Sequence, residues 1–307
     1  MKRWKRWILG LLLVPVALLI VAAGALLEAH WEIRRLTPEL PDLEAVEALA
    51  GVPGAPVRLG YLNTATQRGP GSPIAHPAFV LEWSDGRLFV IDTGMDRKGA
   101  RAFGRPMELL LGADPIEPYG PPGEQLGAQA RRVAGVAFTH LHPDHTSGLA
   151  SLCAAATGSL PLFQTPWQSE LGNYTTSPGR GHVERARCAA PERLEGGPLR
   201  KVPGFPGLAA IAAGGHTPGS TIYLAHVGDT TWVFSGDVTN FRAALLENRP
   251  KPRIYSLLIT PEAPDVLAKL RVWLADLDRR PGIHVVVSHD LDALLASGLP
   301  AWPADDG

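Results

Sequence analysis

Net charge is nearly absent from this chain: 29 Lys and Arg stand against 30 Asp and Glu, a formal balance of −1 over 307 residues. That leaves no electrostatic case for nucleic acid or for an acidic partner. Cysteine is scarce too, with only Cys153 and Cys188. An oxidising compartment would let them pair. Cys153 lies in an apolar, helix-like run (149–156), so a buried thiol is equally open, and neither cysteine has the setting of a nucleophile. The glycine-rich stretches Gly196-Gly197 and Gly214-Gly215 lack the strand-GxGxxG-helix context of a nucleotide loop. No internal repeat is present, and no apolar run of membrane-spanning length follows the first one.

That first run is the opposite of scarce. Ile8 to Leu27 is uncharged and apolar, preceded by Lys2, Arg3, Lys5 and Arg6. Twenty residues at ~1.5 Å rise reach about 30 Å, the thickness of a bilayer core. Trp4 and Trp7 at one end and Trp31 at the other suit the two interfaces, and Pro15 is tolerated in a lipid-embedded helix. The basic flank (1–7) should remain cytoplasmic, exporting everything after about Glu28. Ala23-Gly24-Ala25 has the small-x-small form of a cleavage site, so secretion after signal cleavage is the alternative. Signal h-regions usually run only about 7–15 residues, and the longer run here favours an uncleaved anchor. No cysteine follows closely enough for a lipoprotein.

Residues 28–56 read as a juxtamembrane linker, with a short helix at 43–49 and Pro53, Gly54 and Pro56 closing it off. A globular unit is expected over 57–307. Within it, 79–91 reads as a β-hairpin turning at Asp85-Gly86, and 221–235 as a second turning at Gly228-Asp229. Residues 261–280 carry apolar residues at helical spacing. Alternating strand-like and helical runs predict an α/β layered architecture, with 112–123 and 172–207 as surface insertions.

The densest chemistry lies at Thr139-His140-Leu141-His142-Pro143-Asp144-His145. Imidazole nitrogen and carboxylate oxygen are ligands that Zn²⁺ and neighbouring divalent ions prefer. His140 and His142 are two apart and point the same way from extended chain. Pro143 then forces a turn that presents Asp144 and His145 to a second ion. Three more candidates, His216, Asp237 and His289, each follow an apolar, mainly strand-like run, as the first motif does. In layered α/β proteins, sites gather at the carboxyl ends of strands.

With Ile91-Asp92-Thr93-Gly94, 139–145, 215–220, Ser235-Gly236-Asp237 and Ser288-His289 in that order, the chain resembles the metallo-β-lactamase-fold hydrolases. The resemblance implies an αββα sandwich with two metal ions in a groove at one edge. It implies His140, His142 and His216 on one ion and Asp144, His145 and His289 on the other. Asp237 would bridge both, and Asp92 would steady the ligand loop from behind. His30, His76, His182, His226 and His284 fall outside that pattern and read as surface or satisfied structural residues. His182 alone, in an insertion, has a position compatible with substrate.

Two ions about 3.5–4 Å apart lower the pKa of a shared water towards ~7, so hydrolysis by hydroxide needs no Ser or Cys nucleophile. Asp144 and Asp237 are the expected catalytic carboxylates, Zn²⁺ the first-choice ion, with Fe or Mn alternatives. The pattern is most similar to the lactonase-type branch, which implies an ester, lactone or related acyl substrate. Asn240 departs from it, standing where several lactonases carry Tyr three residues after the bridging Asp. Arg242 alone is thin support for a phosphodiester clamp. Phosphodiester or β-lactam hydrolysis, and a non-catalytic metal-binding or sensing protein, are the alternatives. The expected partners are a small-molecule substrate and the lipid bilayer.

Overall fold

A computed structural model describes residues 3–69 and 71–302, with side chains from Val14 onward. The basic flank and the first six residues of the apolar run therefore lie outside the described side chains. Twelve strands are described: β1 (Arg58–Gln67), β2 (Ile74–Glu82), β3 (Leu88–Ile91), β4 (Glu117–Pro118), β5 (Val133–Ala137), β6 (Leu160–Gln164), β7 (Ala189–Arg193), β8 (Arg200–Lys201), β9 (Leu208–Ala212), β10 (Thr221–Val227), β11 (Thr230–Phe234) and β12 (Ile283–Val286). They form a seven-stranded sheet, β4-β1-β2-β3-β5-β6-β7, and a five-stranded sheet, β12-β11-β10-β9-β8.

Both faces of each sheet are covered, which is why the strands read as continuous apolar runs. The two-residue pleat period divides each strand between two cores. Phe79, Leu81, Phe89 and Ile91 meet Leu208, Ala210, Tyr223 and Ala225 between the sheets. Their neighbours Val80, Leu88 and Val90 face outward onto Leu149 and Leu152 of the helix Leu149–Ala155. On the other side, Ile211, Ile222 and Leu224 face Leu267, Leu270 and Leu274 of the helix Pro264–Asp278. The layers run helix, sheet, sheet, helix.

Both hairpins form where the turn residues placed them. Gly86 (φ 85°) joins β2 to β3 and Gly228 (φ 61°) joins β10 to β11, each in the left-handed region glycine adopts without cost. Residues 172–207 are more than a surface insertion. They supply the helix Ser177–Arg185 and the edge strands β7 and β8. Short edge strands rich in Pro, Gly and charge carry too little periodicity to be read from sequence. Cys153 and Cys188 are joined as a disulfide across 35 residues, tying the helix Leu149–Ala155 to the approach to β7.

The helix α1 (Arg3–Arg34) continues past the apolar run. Its last turns pack on the domain: Ala29 and Ile33 are buried, as are Leu36, Val46 and Leu49 beyond it. Within the segment expected as linker, Val46 and Leu49 thus join the core under the five-stranded sheet. Among the described residues, Val14–Arg34 is the one helical stretch long and apolar enough to cross a membrane.

Candidate metal centre

Strands β3, β5, β9, β11 and β12 deliver Asp92, the 139–145 loop, the 214–220 loop, Asp237 and His289 to one edge of the two sheets. Parallel pairing of β3 with β5 and of β11 with β12 aligns their carboxyl ends there. The first cluster is compact: His142 Nδ1 lies 3.1 Å from His140 Nε2 and 3.3 Å from His216 Nε2. The His140 and His142 rings are 4.6 Å apart, as two residues pointing the same way from extended chain should be. Pro143 then starts the single helical turn Pro143–Thr146, which lifts Asp144 and His145 to the other side. There, His145 Nε2 and His289 Nε2 each lie 3.6 Å from Asp144 Oδ2.

Asp237 faces both groups. Its Oδ2 is 3.5 Å from His216 Nε2, while Oδ1 is 3.1 Å from His289 Nε2 and 3.6 Å from His145 Nε2. Asp237 Oδ1 and His145 Nε2 are buried and neither makes a hydrogen bond. A buried polar atom left unmade costs about 1–3 kcal/mol, so converging orphans of this kind fit divalent cations between them.

The outward ring nitrogens are nearly all engaged, which fixes the lone pair that faces inward. Asp92 Oδ2 accepts from His145 Nδ1 at 2.9 Å. The Ala75 carbonyl accepts from His289 Nδ1 at 2.9 Å, and Thr175 Oγ1 lies 3.1 Å from His142 Nε2. Asp92 itself sits at φ 59°, a conformation costly for a residue with a side chain. Its carboxylate is held there by the Thr139 amide and hydroxyl, both donating at 2.8 Å. Gly94, two residues on, has no alternative, since a Cβ there would lie 2.0 Å from Thr64 Oγ1.

Electrostatics divide the centre in two. Burial pushes His140 well down and His142 to about 3, and lowers His216, whose neighbour Lys251 acts in the same direction. These three are neutral and ready as ligands. Burial opposes charge on His145 and His289 as well, but Asp92, Asp144 and Asp237 overcome it. His145 is raised to about 10, and His289 is raised through Asp237. Without a metal the second group holds protons where a cation would be attracted.

Two features escaped sequence reading. Glu262, 1% exposed, accepts a hydrogen bond from His216 Nδ1 at 2.7 Å and also pairs with the largely covered Lys251, whose Nζ is 3.2 Å away. Lys251 Nζ further donates to the Asp237 carbonyl at 3.0 Å. Neither residue belongs to a motif, and no local signal marks a carboxylate 46 residues after its histidine. His76, expected as a surface or satisfied residue, is instead buried on β2, with Nδ1 3.4 Å from Asp144 Oδ2 and no hydrogen bond on either ring nitrogen. One ligand atom each from His76, Asp144 and His289 lies within 4.8 Å of the others. Alternation along β2 assigns His76 to the face of Ala78 and Val80, but nothing local tells that this face ends at the site.

The other histidines stay outside. His182 Nδ1 meets Thr146 Oγ1 at 2.9 Å, behind the ligand turn, and His226 meets Thr231 Oγ1 at 3.0 Å. His30 reaches the Leu257 carbonyl, and His284 lies 4.0 Å from Asp278. Arg242 is spent on Asp278, and Asn240 keeps its side-chain carbonyl free of hydrogen bonds.

The sequence profile described as the metallo-beta-lactamase superfamily matches residues 71–271. No curated protein gives a significant sequence match. Among solved structures, an N-acyl homoserine lactone hydrolase with N-hexanoyl-L-homoserine bound at its metal centre aligns with TM-score 0.57 at 13% identity, covering 81% of this chain and 99% of that one. A mutant of B. thuringiensis AiiA, with N-decanoyl-L-homoserine bound at its active site, gives the same TM-score of 0.57, identity of 13% and coverages of 81% and 99%. A probable metal-dependent hydrolase from Staphylococcus aureus aligns at TM-score 0.55 and 14% identity, over 77% of this chain and 90% of that one. At such identities the likeness is one of fold.

Proposed function

Because the chain belongs to the metallo-β-lactamase superfamily, we propose that it is a membrane-anchored, exported hydrolase using two divalent metal ions on an ester, lactone or related acyl bond. The observation that carries this reading is Asp237, whose two oxygens face two separate ligand groups. His140, His142 and His216 would hold one ion, and Asp144, His145 and His289 the other, with Asp237 shared. Imidazole and carboxylate donors suit Zn²⁺, and Fe or Mn are accepted by the same set. When bound, such a pair supplies an ionised water at neutral pH and polarises the scissile oxygen.

The protein's own part is orientation and proton handling. Asp237 Oδ1, free of hydrogen bonds, is placed to orient the attacking water and accept its proton. Asp144 Oδ2, between His145 and His289, is the second such oxygen. Burial of every proposed ligand to below one-tenth exposure keeps bulk water from competing. Lactonase-type neighbours in the fold comparison support an acyl substrate over a phosphodiester, as does the commitment of Arg242 to Asp278.

The anchor reading is supported by the apolar stretch of α1 and by the basic residues ahead of that stretch, which by the positive-inside rule favour an exported domain. Metal analysis of the purified chain, paired with a panel of lactones, thioesters, β-lactams and bis-(p-nitrophenyl) phosphate, tests the reading. Fewer than one ion per chain, or turnover confined to the phosphodiester, would overturn it.

A further inference from the structure

The wall of the centre behind His216 continues directly into an apolar surface. Ser256 donates to Glu262, the carboxylate on His216. The next residue, Leu257, gives its carbonyl to His30 Nε2 of α1 at 3.0 Å. The turn that carries both (Tyr255–Ile259) exposes its leucine and isoleucine side chains, while Tyr255 is half-buried. Ile254 is 67% exposed, Leu258 59% and Ile259 60%. Soluble domains scatter such residues singly, and a contiguous group beside a site marks an interaction surface.

The position of α1 says what covers it. Ala25 and Leu26 are already half-buried against the domain. The domain therefore reaches back to the level of the last apolar residues of the membrane-length run. His30 lies only about 4.5 Å further along the helix axis than Leu27. A turn bonded to His30 is held at the surface of whatever bilayer contains 8–27. On the opposite flank of α1, Glu32 interacts electrostatically with Arg180. Arg180 belongs to the insertion whose Thr175 touches His142. The segment that reaches His216 is thus bonded to the juxtamembrane end of α1, and the one that reaches His142 lies within electrostatic range of it.

We propose that the turn Tyr255–Ile259 inserts into the interfacial layer of the leaflet beside α1, and that the centre draws an amphiphilic acyl substrate, a long-chain lactone or ester, from that leaflet. This rests on the anchored-hydrolase reading above. In the reaction a water oxygen bonds to the acyl carbon and the acyl carbon–oxygen bond breaks. One water proton ends on the leaving hydroxyl, and the acid keeps or releases the other.

The test uses the full chain reconstituted in phosphatidylethanolamine/phosphatidylglycerol vesicles. In the Leu258→Cys variant the new thiol is the one available to label, since Cys153 and Cys188 are paired. An environment-sensitive fluorophore there should be quenched by lipids carrying nitroxides near the headgroup. A label exposed to water, or shielded but untouched by lipid nitroxides as under a protein partner, overturns the proposal while leaving the anchor in place. A chain stripped from the vesicles by carbonate overturns both. The variant Leu257→Ser/Leu258→Ser/Ile259→Ser should lower turnover of vesicle-borne γ-dodecalactone or p-nitrophenyl dodecanoate at least about tenfold, because interfacial binding scales with buried apolar area. Turnover of γ-butyrolactone or p-nitrophenyl acetate should stay within about twofold. Equal losses on long and short substrates would refute substrate capture from the leaflet. Absence of turnover on all four by the unaltered chain would refute the acyl-hydrolase reading and the substrate half of this one.

Discussion

Removing the Glu262 carboxylate isolates the support given to His216. The side chain is 1% exposed. It accepts from His216 Nδ1 at 2.7 Å, faces Lys251 Nζ at 3.2 Å and takes the Ser256 hydroxyl. Glu262→Ala takes a partner from three polar groups at once, and leaves Lys251 with the Asp237 carbonyl at 3.0 Å. The nearest remaining carboxylate oxygen to Lys251 is Asp237 Oδ2 at 3.8 Å. Breaking a buried charge pair by deleting one partner costs roughly 3–5 kcal/mol. Loss of the group orienting a ligating imidazole typically lowers metal affinity about 10–100-fold. Glu262→Gln keeps an acceptor for His216 and loses the charge, so a cost of about 1–3 kcal/mol is expected. Adding Lys251→Met to Glu262→Gln should recover part of that loss, because the ammonium left with only the more distant Asp237 carboxylate is gone. The double-mutant cycle should give a coupling of about 0.5–3 kcal/mol.

Urea unfolding of the metal-free chain and competition against a chelator read the two effects separately. The pH dependence supplies a third reading. Burial raises the Glu262 pKa, but the His216 hydrogen bond and the Lys251 charge overcome it and bring it from 4.5 to about 2. A depressed carboxyl pKa stabilises the fold above the unfolded value, and that stability is lost as pH falls from 4.5 towards 2. Glu262→Gln should flatten the stability profile in that window and leave it unchanged near neutrality in slope. A Glu262→Ala chain with unaltered urea midpoint and unaltered metal affinity would refute the reasoning.

Seven proposed ligands are too many for one four- or five-coordinate ion, so about two ions per chain are expected. Asp237→Ala should disturb both, and a variant that kept two ions and full activity would remove the bridging role. His145→Ala should cost the second ion and lower turnover, whereas His182→Ala, behind the ligand turn, should leave metal content alone. Elemental analysis of the two variants side by side decides this. Reducing the disulfide between Cys153 and Cys188, or Cys153→Ser, should cost roughly 4 kcal/mol on loop-closure entropy for a 35-residue separation, read as a lower urea midpoint. An unchanged midpoint would show that the reduced unfolded chain is already compact there.

The parts of the site legible in sequence share one property: their geometry is local. His140 and His142 converge because they are two residues apart in extended chain, and Asp144 and His145 diverge because Pro143 starts a turn between the pairs. Of the fold, alternating strand-like and helical runs make an α/β layered architecture legible locally, but strands buried on both faces read as unbroken apolar runs, so the four layers were implied by the family resemblance rather than by periodicity. Glu262 and His76 are settled by tertiary placement instead. Glu262 sits just before the helix Pro264–Asp278 and could as well have capped it. It meets His216 because that helix covers the five-stranded sheet on the side of Leu267, whose Cδ2 would be 2.9 Å from a Cβ on Gly215. His76 reaches Asp144 because an isolated bridge from Ile74 to Asp290 draws the start of β2 across to the loop after β12. The Ala75 amide then donates to the His289 carbonyl, and the Ala75 carbonyl accepts from the His289 ring. One strand end thus both orients a proposed ligand and delivers a second imidazole beside it. That coupling between two segments more than 200 residues apart leaves no trace in either segment alone.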